Sequence, residues 1–152
     1  MSNRAPNTSA RRPPQNLALL LREPFRAGTE RLHQRFAERG HPDIRPPHGN
    51  VMQFLDQDGT RVSVLAERAQ ITKQSMAELV EHLERLGYVE RVADPSDRRA
   101  KLVRATPRGK LLYEIAREVV AEIEAEWNKR LGKAKMRQLR QLLEELNAGL
   151  SD

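Results

Sequence analysis

Residues 61–106 read RVSVLAERAQITKQSMAELVEHLERLGYVERVADPSDRRAKLVRAT, and this stretch decides the fold. Ser63 is a good N-cap residue, and it predicts the start of a first helix carrying Val64, Leu65, Ala66 and Ala69. A break is expected at Gln70-Ile71, after which Thr72 caps a second helix. Met76, Leu79, Val80, Leu83 and Leu86 then fall at steps of 3, 1, 3 and 3, one buried stripe on a helical period. Gly87 stands where a helix C-terminus takes positive φ. Tyr88 to Val92 and Ala100 to Ala105 are short β-prone runs. The loop between them, Ala93 to Arg99, holds Asp94-Pro95-Ser96-Asp97, a turn signal. Two helices joined by so short a turn make a helix-turn-helix, whose second helix fits a DNA major groove. The β-ribbon after it makes the unit winged.

On the C-terminal side, Thr106 caps and Pro107 opens a helix. Its apolar residues Leu112, Ile115, Val119, Ile123, Trp127 and Leu131 are spaced 3, 4, 4, 4 and 4, and Gly132 breaks it. Met136, Leu139, Leu143, Leu146 and Leu150 follow at 3, 4, 3 and 4, a heptad-like seam on a last helix. On the N-terminal side, Gln15 to Arg39 reads as a long helix with Leu17, Leu21, Phe25, Leu32 and Phe36 near one stripe. Pro24 predicts a kink or break near Leu20 to Pro24. Pro46-Pro47 starts a further helix running to about Gln57, with Val51, Phe54 and Leu55 on its apolar side. Asp58-Gly59 is a turn, and Val62 is a candidate for a one- or two-residue strand against the wing. Residues 1–14, with three prolines and three arginines, read as a disordered basic arm. Long helices with this much apolar stripe exceed what a small winged unit covers, so a second copy of the chain is the natural cover.

Composition narrows the class. A chain of 152 residues can bury one core of its own. Cysteine is absent, which excludes disulfides, thiolate chemistry and thiol oxidation as a signal, and suits a reducing cytoplasm. No apolar run approaches the roughly 18 residues of a membrane span. Aromatics are only 4% and leucine is the usual apolar choice, which favours helices. The formal net charge of +6 suits a polyanionic partner. Position says more than the sum: residues 98–104 carry four cations and no acid, whereas the second helix of the motif mixes Lys73 and Arg85 with Glu78, Glu81 and Glu84.

These residues carry a family resemblance. Asp97, Arg99 and Lys101 resemble the Asp-x-Arg-x-Lys wing motif of MarR-type (multiple antibiotic resistance regulator) transcription factors. Thr106-Pro107-Arg108-Gly109 resembles the Thr-x-x-Gly that leads into that family's next long helix. Leu65-Ala66-Glu67-Arg68 and Thr72-Lys73-Gln74 resemble its helix-turn-helix. The resemblance is strongest over residues 61–112 and continues over 15–150 as helix order and length. It implies a mainly α fold with a small β-wing: a winged helix-turn-helix over 45–106, flanked by dimerisation helices 15–39 and 107–150. It also implies a homodimeric transcriptional regulator, a repressor by expectation, bound to a palindromic operator in double-stranded DNA. A small aromatic or anionic ligand that releases the DNA is a further implication. The competing readings are a winged-helix protein-interaction module and a sequence-tolerant architectural DNA binder.

The expected DNA contacts are Ser63, Thr72, Lys73, Gln74, Ser75, Ala77, Glu78 and His82 around the motif, and Arg98, Arg99 and Lys101 on the wing. Arg98, at or beside the ribbon tip, suits a narrow, electronegative minor groove. Asp97 and Arg99 are expected to pair and shape the loop. Gln74 and Lys73 are residue types that read base edges or phosphate, while Glu78 is expected to pair with a nearby cation. Gln70 occupies a turn position where the family often has glycine. The four histidines show no i,i+4 pair, so no metal or cofactor is expected. No nucleophile–base–acid set, phosphate loop or supported carboxylate pair argues for catalysis. The ligand that the resemblance implies is expected near Phe25, Arg45, His48, Met52, Phe54 and Leu112, with His48 or Arg45 facing an anion.

Overall fold

The computed structural model describes residues 16–150, so the arm expected over residues 1–14 lies outside the described residues. Helix α1 runs unbroken from Leu17 to Glu38. Asn16 caps it, its side chain accepting the Leu19 N–H at 3.0 Å. Pro24 sits inside α1 without breaking it. Residues 16–27 are exposed throughout, so water can take the carbonyl that proline leaves without a partner.

The next helix is shorter than expected. Pro46–His48 form a 3-10 turn, and α2 spans only Gly49–Met52. Side chains beyond it compete with helical bonding. The Arg68 guanidinium donates to the Phe54 carbonyl at 2.8 Å and to Asp56, and Asp56 and Thr60 bond each other. Thr60, rather than Val62, forms the extra bridge to the wing, exchanging backbone bonds with Val103 at 2.8 and 2.9 Å. Val62 instead opens α3 (Val62–Ala69). The N-cap is Arg61, with no side-chain cap bond, and Ser63 lies inside the helix, exposed.

Gln70 ends α3 in the left-handed region at φ 54. That conformation costs a non-glycine residue about 1 kcal/mol. Thr72 caps α4 (Lys73–Arg85), its hydroxyl accepting the Ser75 N–H at 3.1 Å. Gly87 takes φ 80 as the spacing predicts. Strands β1 (Val89–Asp94) and β2 (Asp97–Ala105) form one antiparallel ribbon. Its register is regular from Val89↔Ala105 to Ala93↔Lys101, then jumps to Asp94↔Asp97. The strands thus reach farther than expected, and the turn shrinks to Pro95-Ser96. Residues 98–100 become a bulge in β2.

Helix α5 (Pro107–Leu131) starts on the ribbon itself. The Thr106 hydroxyl donates to the Gly87 carbonyl at 2.6 Å and accepts the Gly109 N–H at 3.1 Å. Gly109 packs so tightly on the Tyr88 carbonyl that an added Cβ would lie 2.1 Å from its oxygen. This contact is the physical meaning of the Thr-x-x-Gly spacing. Gly132 separates α5 from α6 (Lys133–Ala148).

One core joins these parts. The α4 stripe residues Met76, Val80 and Leu83 pack with Leu65, Tyr88, Val89 and Val103 and with Leu112, Ile115 and Val119 of α5. Phe36, Ile44, Val51 and Met52 close it from the other side. Along α1, Arg31, Arg35 and Arg39 face Glu126, Glu122 and Glu118 of α5 as an antiparallel ladder of ion pairs. The outer ends are not covered. Leu17, Leu20 and Phe25 of α1, and Leu142, Leu146 and Leu150 at the C-terminal end, are exposed, Phe25 by 76%. Among the described residues no helix is long and apolar enough to cross a membrane.

Candidate nucleic-acid interface

The buried stripe of α4 fixes which residues it offers to solvent. Burying Met76, Val80 and Leu83 leaves Lys73, Gln74, Ser75 and Glu78 exposed along the first two turns. Ala77 and His82 are half-buried at the edge of the stripe. Thr72 has its hydroxyl committed to the cap and to Ser75. Among the described residues Glu78 has no cation as partner; it accepts the Gln74 amide at 3.4 Å, one turn earlier. That contact removes the expected pairing and places an amide and a carboxylate side by side.

The wing is held in shape by different residues from those expected. Asp94, only 6% exposed, accepts the Ser96 N–H at 2.8 Å and the Ser96 hydroxyl at 2.7 Å. It also accepts Arg61 Nε at 2.7 Å, from the residue that precedes α3. These bonds, the serine ones first, hold the Asp94 carboxyl down at about 2. Asp97 does not pair with the Arg99 guanidinium; its carboxylate accepts the Arg99 backbone N–H at 3.0 Å. The guanidiniums of Arg98 and Arg99 and the Lys101 amine are exposed, and none has an ion-pair partner among the described residues. Arg104, the fourth cation of this run, is neutralised by Glu90 at 2.8 Å. The sequence signal for Asp94 was present in the Asp-Pro-Ser turn, but its partner Arg61 lies 33 residues away and nothing local announces it.

A second feature lies behind α4. A partly open pocket of about 210 Å³ lies between α1, the 3-10 turn, α2 and α5. Of the six expected ligand residues, His48, Met52 and Leu112 line it, whereas Phe25, Arg45 and Phe54 do not. Phe25 lies on the exposed outer part of α1, and the Arg45 side chain is exposed. Phe54 packs, half-buried, against the core beyond the short α2. Leu32, His33, Phe36, Ile44 and Tyr113 line it too, with Gly49, Gln53 and Ala116. Helical spacing offered Leu32 and Phe36, but the approach of Tyr113 is a tertiary contact, its hydroxyl donating to the Met52 carbonyl. Burial pushes the Tyr113 hydroxyl up to about 12 and pushes His33 and His48 below their ordinary value. A larger, open groove of about 1090 Å³ runs on the other side of α5, past Asp56, Lys110, Arg117 and Val120.

The fold and these surfaces define a winged helix-turn-helix protein of the DNA-binding class. A protein-family model described as the MarR family matches residues 43–100. The transcriptional regulator HosA of Escherichia coli O157:H7 is 31% identical over 91 residues, 59% of this chain and 67% of HosA. Among solved structures, the Staphylococcus aureus MepR–DNA complex superposes with a TM-score of 0.69 at 22% identity, covering 89% of this chain and 98% of MepR. CouR from Rhodococcus jostii RHA1 bound to p-coumaroyl-CoA gives 0.66 at 23% identity, covering 87% and 92%. The chain belongs to the MarR family of transcriptional regulators, a family of DNA-binding proteins rather than enzymes.

Proposed function

We propose that this chain is a cytoplasmic, homodimeric repressor that reads a palindromic operator with α4 and the wing of each protomer. The carrying observation is the set of free cations on the first turn of α4 and on the wing. Lys73, Arg98, Arg99 and Lys101 are exposed and lack carboxylate partners among the described residues, while Arg31, Arg35 and Arg39 of the α1–α5 ladder are all neutralised. A free cation releases condensed counterions when it meets phosphate; a paired one must first give up its partner. In this reading Lys73, Gln74, Ser75, Ala77, Glu78 and His82 enter a major groove. Ser63 and Thr72 meet the flanking backbone, and the bulge at Arg98 and Arg99 reaches the adjacent minor groove, with Lys101 near phosphate. Residues 15–150 act as one domain, with residues 107–150 and α1 forming the dimer contact. The exposed leucines of α1 and α6 support that pairing, since apolar surface of this extent is uncommon on a monomer.

Footprinting on genomic fragments, including the chain's own promoter, tests the reading. A protected palindrome with half-sites about one helical turn apart is the expected result. Equal affinity for random duplex would point to an architectural binder. No salt-dependent binding to any duplex would point to a protein-interaction module.

A ligand for the cavity belongs to the same proposal. A space of about 210 Å³ suits one substituted aromatic ring, on the scale of apolar cavities that hold benzene. MepR with DNA and CouR with an aromatic acyl thioester are relatives in fold that bind each kind of partner. Thermal shift with small aromatic carboxylates and phenols, repeated with operator present, checks whether such a ligand competes with DNA.

A further inference from the structure

Behind α4 the structure holds a one-way chain of hydrogen bonds. The Arg45 backbone N–H donates to His48 Nδ1 at 2.9 Å, so that nitrogen is an acceptor. A neutral His48 must then carry its proton on Nε2, which lies 2.9 Å from His82 Nδ1. His82 Nδ1 is therefore an acceptor as well, and a neutral His82 carries its own proton on Nε2. Among the described residues that outer nitrogen has no partner and no buried side-chain nitrogen lacks one, so it meets solvent. The two rings lie 4.9 Å apart between centroids, His48 almost fully buried on the cavity wall and His82 on α4.

We infer that His48 is a positioning residue for DNA reading. It holds His82, and through it α4, by a bond that coexists with the Arg45 bond only while both imidazoles are neutral. The inference rests on the reading that α4 enters the groove. Protonating His48 puts a hydrogen on Nδ1, opposite the Arg45 N–H, and two donors then face each other. Protonating His82 puts one on its Nδ1, opposite the His48 Nε2–H, with the same result. No redistribution of one extra proton keeps both bonds.

The surroundings resist that proton on the cavity side. His48 faces His33 from α1 and Arg45 from the start of the 3-10 turn, both unfavourable to a cation there. Its burial acts in the same direction more strongly. Tyr113 of α5, the titratable group of that helix on the cavity wall, stays neutral with its hydroxyl on the Met52 carbonyl. On α4, Glu78 and Glu81 precede His82 and Arg85 follows it by one turn, all exposed. Acid would ordinarily strengthen binding to a polyanion by adding positive charge. The histidine pair makes the opposite sign: DNA affinity falls as both bonds cannot be kept.

The test uses full-length protein and the duplex it selects from a randomised pool at neutral pH. Anisotropy titrations at constant ionic strength should show wild-type affinity falling roughly fivefold or more between about pH 7.5 and about pH 5.5, the scale of one lost buried hydrogen bond. His48→Ala should bind several-fold more weakly at the upper pH and show little further loss on acidification. His48→Gln, whose amide can donate to a neutral His82 and, turned over, accept from a protonated one, should recover most of the affinity and keep the flat profile. Long-range proton–nitrogen NMR of the free protein should find Nε2–H tautomers on both His48 and His82 at neutral pH. An Nδ1–H tautomer on His82, a wild-type affinity that rises in acid, or a His48→Ala profile that parallels the wild type would each overturn the inference. Failure to select any duplex would overturn the DNA reading beneath it, whatever the tautomers.

Discussion

Replacing Gly109 by alanine isolates the contact on which the angle between the winged unit and α5 depends. The added Cβ would stand 2.1 Å from the Tyr88 oxygen, 3.1 Å from its carbon and 3.4 Å from the Ala105 Cβ. The first distance is about 1 Å inside van der Waals contact, and the obstacle is backbone, which cannot rotate aside as a side chain can. Tyr88 is itself fully buried, with its hydroxyl held by His41 and Arg108. Strand β1 or the first turn of α5 must therefore move. Overpacking of this kind costs about 1–3 kcal/mol. Alanine's better helix propensity offsets at most about 1 kcal/mol, and less in a first turn. The net loss should lower the melting temperature by roughly 2–8 °C for a chain of this size. Gly49→Ala is the control, since nothing lies within 4 Å of its added Cβ and its backbone is right-handed helical. It should gain about 0.4–1 kcal/mol. Melting both variants by circular dichroism at one protein concentration decides the matter. A Gly109→Ala chain as stable as the wild type, with unchanged DNA affinity, would refute the role given to this seat.

Other outcomes follow from the same structure. Arg98→Ala and Arg99→Ala should each weaken DNA binding by about 1–3 kcal/mol and lessen its salt dependence while the chain stays folded, read by titrations over a salt series. Charged residues at both Leu139 and Leu143 should dissociate or unfold the chain, because burying charge in a dimer seam is costly, and sedimentation reads this directly. A wild-type chain sedimenting as a folded monomer at micromolar concentration would remove the dimer from the proposal. Asp94 has a folded value lowered from 3.8 to about 2, so its contribution to stability is complete above the ordinary value and is lost as pH falls through that window. Glu122 and Glu126, lowered first by hydrogen bonds from Arg35 and Arg31, act with the same sign. Asp94→Asn should therefore flatten the acid limb of a stability–pH curve, and an unchanged limb would count against the wing anchor.

Local chemistry announced most of the winged unit. The α4 stripe, the Thr72 cap, Gly87, the Thr106-Pro107 start of α5 and the Gly132 break all act within a turn or two of the residue that encodes them, and the structure has each of them. The errors fall where distant groups compete with local preference. Ser63 is a better cap than Arg61, yet the Thr60–Val103 bridge brings the chain to the wing first, so α3 begins before Ser63 can cap it. The helix expected as far as Gln57 loses its last turn to Arg68 and Thr60. Of the cavity, chain order at the junction of the long helices and the winged unit pointed to His48, Met52 and Leu112, and it pointed equally to Phe25, Arg45 and Phe54, which do not line it. The approach of Tyr113 and the retreat of Phe25 depend on how α5 crosses α1, and no local pattern carries that angle.

That angle is set by the shared core and by a few polar and backbone contacts at its edge. Helix α5 has 25 residues, about 37 Å at 1.5 Å per residue, so a tilt of about 5° at its winged end displaces the far end by roughly 3 Å. The Arg–Glu ladder fastens α1 to α5 along three successive turns, so the two long helices move together. The winged unit is joined to them by the shared core around Leu112, Ile115 and Val119, by the Gly109 seat on Tyr88, by the Arg108–Tyr88–His41 cluster and by the Tyr113 bond to Met52. The last of these borders the cavity, and His48 on the same wall holds α4. In a dimer, two recognition helices must meet successive grooves about 34 Å apart, so contacts this close to the pivot govern spacing at the DNA more than contacts near the groove do. A change of a few tenths of an ångström at the cavity wall is thus enlarged along α5, whereas the same change at Arg98 alters one contact only.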